Sequence, residues 1–486
     1  MLGCQMMLQY VRIAEAFTKR ESGVGRLYKN ENHAEKGEKR MDDVMLEIAQ
    51  MLEKHPVLKE KALYRHRYIN LLEYFVRKYS PDNEWAKKTL MLYKNVFLES
   101  LEEYSYQESK LRTLVRLVMA NKWKLFARYS YRSCVMMDCV FINAFRDRRR
   151  GNRILRELSD ACPKRYREAL GKIFDALYDN CLSLSESDPA AYLAGCWEKN
   201  CFFLEKEPVK ILVTATMSAG KSTLINALVG KKINRTQNDA CTAKLHYIKN
   251  KPYEDGYIYE QDFTLELNAD NKTLMDDNEL NTDGMIAVGT RFQTVVNELS
   301  RIWLIDTPGV NSSRHQSHKE CTEHCIRETK ADILVYLLNG QSIGSDDDRS
   351  HLQFVYEHYR GRVLFVVNKL DNFRKGEDSV EETLYRVAEE LREIGFAYPV
   401  VVPVSSAAAY LAKQRLFGEI LDEDDQEEFE RIARKLKKSE YQFDTYYPHS
   451  ERLEQLTEDS EEKRVLRHSG LLHLEEMIYD RKRLNI

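Results

Sequence analysis

Several shortages frame this 486-residue chain. Proline and glycine are scarce, at 10 and 20 residues, which excludes collagen-like repeats and low-complexity linkers. With abundant Leu, Glu, Lys and Arg, that scarcity leans the chain toward helix. The ten cysteines, at 4, 134, 139, 162, 181, 196, 201, 241, 321 and 325, contain no Cys-x-x-Cys pair. They make no disulfide framework, and a reducing, cytoplasmic setting is expected. Charge of one sign is missing too. The 74 basic and 77 acidic side chains leave a net charge of -3, which argues against a protein built mainly to coat nucleic acid. No stretch approaches the ~18 apolar residues of a membrane-spanning helix. The chain's apolar runs, such as Val363–Val367 and Ile333–Leu338, have buried-strand length. The start, Met-Leu-Gly-Cys-Gln-Met-Met-Leu, has neither a basic region nor a long apolar one, so no secretory signal is expected. Any work at a membrane is expected from its surface, peripherally at the inner face.

What is present is a chain long enough for about two to four domains. Residues 1–40 are polar and weakly periodic and read as a loose arm. Met41 is a candidate start, since Asp42 and Asp43 suit a first helical turn. Residues 41–204 read as an α-helical domain of five or more helices. Val44, Ile48, Met51 and Leu52 repeat at helical spacing before Pro56. Leu90, Tyr93, Phe97, Leu101 and Tyr104 form another stripe. Breaks are expected at Pro81-Asp82, Arg150-Gly151-Asn152 and Ser187-Asp188-Pro189. The basic run from Arg146 to Arg153 reads as phosphate contact or, preferred, as a solvated helix C-terminus.

From Pro208 the pattern changes to alternating strands and helices. Buried strands are expected at 209–214, 243–249, 301–305, 332–338, 362–367 and 399–404, with helices at 221–229, 317–329 and 377–395. This implies a mostly parallel α/β sheet. Tyr257-Ile-Tyr259 and Phe263–Leu267 suggest added antiparallel strands. The acidic run Asp422–Glu430, and the mixed charges up to Glu462, read as a surface excursion. Ser469–Ile478 reads as a last helix.

Four motifs carry chemistry. The first is Ala215-Thr-Met-Ser-Ala-Gly-Lys-Ser-Thr223, between strand 209–214 and helix 221–229, a phosphate-binding loop in its required context. Ala219 and Gly220 supply backbone that curls around phosphates, and the helix N-terminus adds its positive end. Lys221 would reach the β- and γ-phosphates, and Ser222 would ligate Mg²⁺, with Thr223 beside it. The pattern wants glycine at 215, and Ala215 is expected to crowd the loop slightly. The second motif is Asp306-Thr-Pro-Gly309: Asp306 holds a Mg²⁺ water, and the Gly309 amide senses a γ-phosphate. The third is Asn368-Lys-Leu-Asp371. Asp371 accepts from N1 and N2 of guanine, a donor pair adenine lacks. Lys369 lies along the base, and Asn368 ties the loop together. The fourth is Val404-Ser405-Ser406-Ala407, whose backbone amides meet the guanine O6 atom. All four fall at C-terminal strand ends, where open parallel sheets bind ligands. Thr242, 20 residues after Ser222, is the candidate switch threonine for Mg²⁺ and the γ-phosphate.

Met217–Leu228, Asn238-Asp-Ala-Cys-Thr-Ala243 and Asp306-Thr-Pro-Gly-Val-Asn311 together resemble the bacterial dynamin-like GTPases, over roughly residues 205–482. The resemblance implies a dynamin-type P-loop GTPase domain with a mostly parallel sheet and extra antiparallel strands, here preceded by an all-α domain. It implies GTP and GDP as ligands with Mg²⁺, nucleotide-dependent pairing of GTPase domains into a homodimer, and membrane remodelling through a helical stalk. It also implies that Ser218 places a charge-compensating cation and transition-state contacts. Eukaryotic dynamins carry a water-orienting glutamine at the position of Met217, so slow turnover is expected. The sequence continues only about eight residues past the last expected helix, so any stalk is expected from the N-terminal helices or from another protein, including a partner dynamin-like chain.

Two further readings compete with this one. One is a switch that holds GTP, scarcely hydrolyses it, and signals to a protein partner through the helical domain. The other is an RNA- or ribosome-associated GTPase, disfavoured by the near-zero charge. His315, His318, Cys321, His324 and Cys325 have spacings that suggest zinc. A switch helix rich in these residues is preferred, because a fixed metal would hinder a segment that should move.

Overall fold

The computed structural model describes residues 50–479, apart from 99–100, 102–103, 120–130, 146, 180–189, 234–244, 262–264, 270–284, 295–299, 309–315, 375–378 and 457–458. Among the described residues two large hydrophobic cores form, one helical and one around a sheet, with a small third cluster at Tyr259 and Ala287. Seven longer helices build the first: α1 (Ala62–Tyr79), α2 (Glu84–Phe97), α3 (Leu111–Met119), α4 (Tyr131–Ala144), α5 (Arg148–Ala161), α6 (Lys164–Tyr178) and α7 (Ala191–Leu204). Their core holds Tyr68, Phe75, Tyr93, Phe97, Phe141 and Trp197. Inside it lies a fully buried carboxylate, Asp138. It accepts from His55 Nε2 at 2.9 Å, from Tyr93 at 2.8 Å, and from Tyr68. His55 Nδ1 accepts the Val57 amide at 3.1 Å, which leaves the ring proton on Nε2 for Asp138. Three donors offset the cost of burying this charge.

The chain breaks at Pro81-Asp82 as expected, but not at Gly151. That glycine lies inside α5, where a Cβ would sit 2.8 Å from the Tyr178 hydroxyl and 3.0 Å from Phe174. It permits α6 to approach closely and punctuates nothing. The basic run therefore opens a helix and does not end one. Asp147 caps α5 through the Arg150 amide, and Arg148 pairs with Asp179. The expected 90–104 stripe also stops early: α2 ends at Phe97, and Leu101 is exposed.

The sheet has nine strands in the order β4-β3-β5-β2-β6-β1-β7-β8-β9. They are β1 (Val209–Ala215), β2 (Leu245–Asn250), β3 (Tyr259–Gln261), β4 (Leu265–Glu266), β5 (Met285–Thr290), β6 (Ile302–Asp306), β7 (Ile333–Asn339), β8 (Arg362–Asn368) and β9 (Val400–Val404). The run β6-β1-β7-β8-β9 is parallel throughout. Strand β2 runs antiparallel to β6 and parallel to β5, and β3 and β4 extend the sheet antiparallel. The antiparallel additions thus fall at one edge. Strand β5 had no counterpart in the sequence reading.

Helices α8 (Lys221–Val229), α9 (Gln316–Glu328), α10 (Asp346–His358), α11 (Val380–Ile394), α12 (Ser406–Leu416), α13 (Glu423–Leu436), α14 (Glu461–His468) and α15 (Leu471–Tyr479) accompany the sheet. The acidic segment at 422 is no surface excursion. Asp422 caps α13, acids fill its first turn, and Arg434 and Lys435 fill its last, each favoured by the helix dipole. Its Phe429, Ile432, Ala433 and Leu436 are buried in the sheet core. Among the described residues no helix is long and apolar enough to cross a membrane.

Candidate functional site at the strand ends

Strand β1 ends at Ala215, paired with Leu337 of β7 and fully buried. Among the described residues, only Ser218 and Lys369 are non-glycine residues with positive φ. Ala215 therefore needs no glycine conformation, and it fits as the last rung of a strand. Gly220 does need one. Its φ is +91°, and a Cβ there would lie 2.4 Å from Asn368 Nδ2. Helix α8 starts at Lys221, so the amides of its first turn lack intrahelical partners and face the loop.

The Lys221 ammonium pairs with the buried carboxylate of Asp306, at the end of β6. Next to it Thr307 Oγ1 donates to the Val213 carbonyl at 3.1 Å. Asn368 links two loops. Its Nδ2 donates to the Ala219 carbonyl at 2.9 Å, and its Oδ1 accepts the Ser406 amide at 3.0 Å. Its carbonyl accepts from Gly340 at 2.8 Å. Lys369 has φ +67°, and its Cε lies beside Gly220.

Asp371 sits in a buried turn, Leu370–Asn372, and is 4% exposed. Burial raises its pKa above 3.8, opposed by a hydrogen bond from Ser405 and by the charges of Arg431 and Lys435. The turn is braced by α13 and the chain after it. Lys435 and Tyr441 both donate to the Phe373 carbonyl, and Arg431 reaches Asn372. These supports were missed in the sequence, because their segment looked like solvated charge.

The fourth motif differs in detail from expectation. The Ser405 amide donates to the Ser469 carbonyl at 2.9 Å, and the Ser406 amide is taken by Asn368. Ser405 Oγ caps α12 through the Ala408 amide at 3.3 Å. The Ala407 amide lies in the first turn of α12, where amides lack intrahelical partners. The Ser406 hydroxyl is buried without a hydrogen-bond partner among the described residues. Thr223 and Ala407 open onto a cleft of about 1150 Å³ that Tyr253 and Arg291 also line.

Two expected residues, Thr242 and Gly309, lie outside the described residues, as does His315. Of the other proposed zinc ligands, Cys325 is buried with Sγ 3.2 Å from Thr329 Oγ1. Burial pushes its thiol up to about 11, away from the thiolate that zinc prefers.

This architecture has a match among known families. The profile of the dynamin family covers residues 211–370, from β1 through the Asn368 loop. The chain carries a dynamin-type P-loop GTPase domain. A curated relative, the probable chloroplastic transmembrane GTPase FZO-like of Arabidopsis thaliana, is 25% identical over 208 residues. That stretch is 43% of this chain and 20% of the relative, so the chain spans about a fifth of that protein's length. Among solved structures, an oligomerised bacterial dynamin pair described as sensing and tethering membranes is 14% identical, with a TM-score of 0.35. It covers 80% of this chain and 59% of its own. A variant of Aquifex aeolicus Era bound to GDP·AlF4⁻ is 18% identical with a TM-score of 0.26, covering 45% and 59%. Superpositions this loose carry no weight beside the family match to the GTPase domain.

Proposed function

We propose that the chain binds GTP at these strand ends and hydrolyses it slowly to GDP, with self-association through the GTPase domain. The observation that carries this reading is Asn368. One side chain ties the phosphate loop at Ala219 to the base loop at Ser406, one turn from the buried Asp371. Asp371 would accept from guanine N1 and N2, and the Ala407 amide would meet O6. Lys221 would leave Asp306 for the β- and γ-phosphates and neutralise charge as an in-line water attacks.

Ser222 and Asp306 offer only oxygen donors, the set Mg²⁺ prefers, and Thr242 is the third candidate. Mg²⁺ would supply charge neutralisation on the β- and γ-phosphate oxygens. Ser218, left-handed at φ +61°, is the candidate for transition-state contact. Pairing of GTPase domains and work at a membrane surface are part of the same proposal, supported by the dynamin-family match, and a cytoplasmic location is proposed from the cysteine pattern. A second reading, a switch that holds GTP for a protein partner, is favoured by Met217, whose thioether cannot orient a water.

The test is GTP turnover per molecule over a hundredfold range of protein concentration, with Mg²⁺ and no lipid. A specific rate that climbs with concentration supports a site completed by pairing. A flat, very slow rate with tight GTP binding supports the switch. Lys221→Ala should abolish turnover, and retained hydrolysis in that variant would overturn the site assignment.

A further inference from the structure

We propose that Asp348 is a positioning residue for the phosphate loop, fixing the Met217–Ser218 turn through Thr216. This rests on the hydrolysis reading given above. The distances are specific. Thr216 Oγ1 donates to Asp348 Oδ1 at 2.5 Å. The second carboxylate oxygen accepts from Ser345 Oγ at 3.0 Å, and the same hydroxyl caps α10 through the Asp348 amide at 3.2 Å. Asp348 is thus oriented by the start of its own helix. One turn further along α10, His351 Nε2 lies 2.9 Å from Thr214 Oγ1. Helix α10 therefore holds both threonines that flank Ala215, the position where a phosphate loop ordinarily has glycine.

The other end of the loop is held by Asn368 at the Ala219 carbonyl. Only Met217 and Ser218 lie between the two anchors. Ser218 has a left-handed backbone, which side-chain-bearing residues adopt only when the surroundings impose it. Met217 has no group to hold a water, so water placement falls to backbone geometry, and that geometry is set by the anchors. Misplacement of reacting groups by about 1 Å can cost a hundredfold in rate.

Packing alone does not account for Asp348. The carboxylate is 3% exposed, and among the described residues it has two hydroxyl donors and no cation. Burial raises its pKa, with the two hydroxyls pulling it down. An apolar side chain would fill the space at lower cost. The arrangement gains a directed hydrogen bond to the loop.

The experiment uses the full chain with Thr216→Val, Asp348→Asn, the double variant and Thr216→Ser. Each single loss should lower kcat about tenfold while KM for GTP and Kd for GDP stay within about twofold. The double variant should be no worse than the singles, because both remove one interaction. Thr216→Ser keeps the hydroxyl and should restore the wild-type rate. Unchanged kcat per folded molecule, or losses that multiply in the double variant, would overturn the proposal. Amide exchange at 216–219 in the GDP-bound protein gives a readout independent of turnover. It should quicken in Thr216→Val and not in Thr216→Ser, and equal protection in both would also overturn it. A wild-type chain that binds GDP without hydrolysing GTP counts against the hydrolysis reading, while exchange still decides the role of Asp348.

Discussion

Asp371 shows how much a single carboxylate can decide. Burial raises its pKa, so the turn favours the neutral acid more than water would. Guanine offers two N–H donors, and these bind the ionised form. Binding GTP should therefore lower the pKa of Asp371 and release its proton wherever the free site holds one. The sign follows from linkage. Affinity is full above the raised pKa of the free site and falls as pH drops through it. Calorimetric titration with GTP from neutral to acid pH should show this loss begin at a higher pH than it would for an unperturbed aspartate. Asp371→Asn should remove that dependence, weaken GTP by roughly a hundredfold for two lost charge-assisted bonds, and shift preference toward xanthosine nucleotides. An unchanged preference for GTP would remove Asp371 from the base pocket.

At the scale of elements, the parallel strands and the four motifs were legible because each is a local signal. A short β-branched run and the loop after it are adjacent in sequence. Three elements were not legible, each for a tertiary reason. Strand β5, Met285–Thr290, is a brief run whose identity comes from pairing with β2, about 40 residues earlier in the chain. Helix α13 was hidden by its charges, although Phe429, Ile432, Ala433 and Leu436 keep helical spacing. Gly151 looked like a break because nothing in the sequence shows Tyr178 and Phe174 against it. That glycine carries a prediction. Gly151→Val should destabilise the helical core by about 1–3 kcal/mol, since its branched side chain must displace two rings. Gly151→Ala should cost less than valine, because its Cβ presses on the same two rings but a helix-propensity gain of up to about 1 kcal/mol offsets part of their shift. Urea unfolding followed by Trp197 fluorescence measures both, since Trp197 packs on Tyr178 with ring centroids 6.1 Å apart. Equal stability of the valine variant and the parent would show that α5 and α6 are not closely packed there.

For the whole molecule, the question is how a nucleotide site speaks to a bundle of helices. One contact that joins them among the described residues is the turn after β2. Tyr253, in that turn, is buried in the helical core together with Trp197 and Leu193. Lys54, before α1, lies over the rings of Tyr257 and Tyr192, 5.9 Å from each. Strand β2 is hydrogen-bonded on both sides, to β5 and β6, so it moves as a unit with the sheet. Its first residue, Leu245, comes three positions after Thr242, the candidate switch threonine, and its last, Asn250, leads into the Tyr253 turn. Strand β2, six residues long, thus offers a stiff route from the sheet to the helical core. Tyr253→Ala should cut that route. Removing a buried aromatic ring should cost the helical core about 3 kcal/mol or more. GTP affinity should hold within about twofold, because no motif residue is touched. In wild type, a non-hydrolysable GTP analogue should change amide exchange in α7 (Ala191–Leu204). In Tyr253→Ala that response should vanish, and in Tyr253→Phe, which keeps the ring, it should persist. A response of α7 that survives in the alanine variant would mean the helices receive the nucleotide signal by another path, and β2 would then be sheet and nothing more.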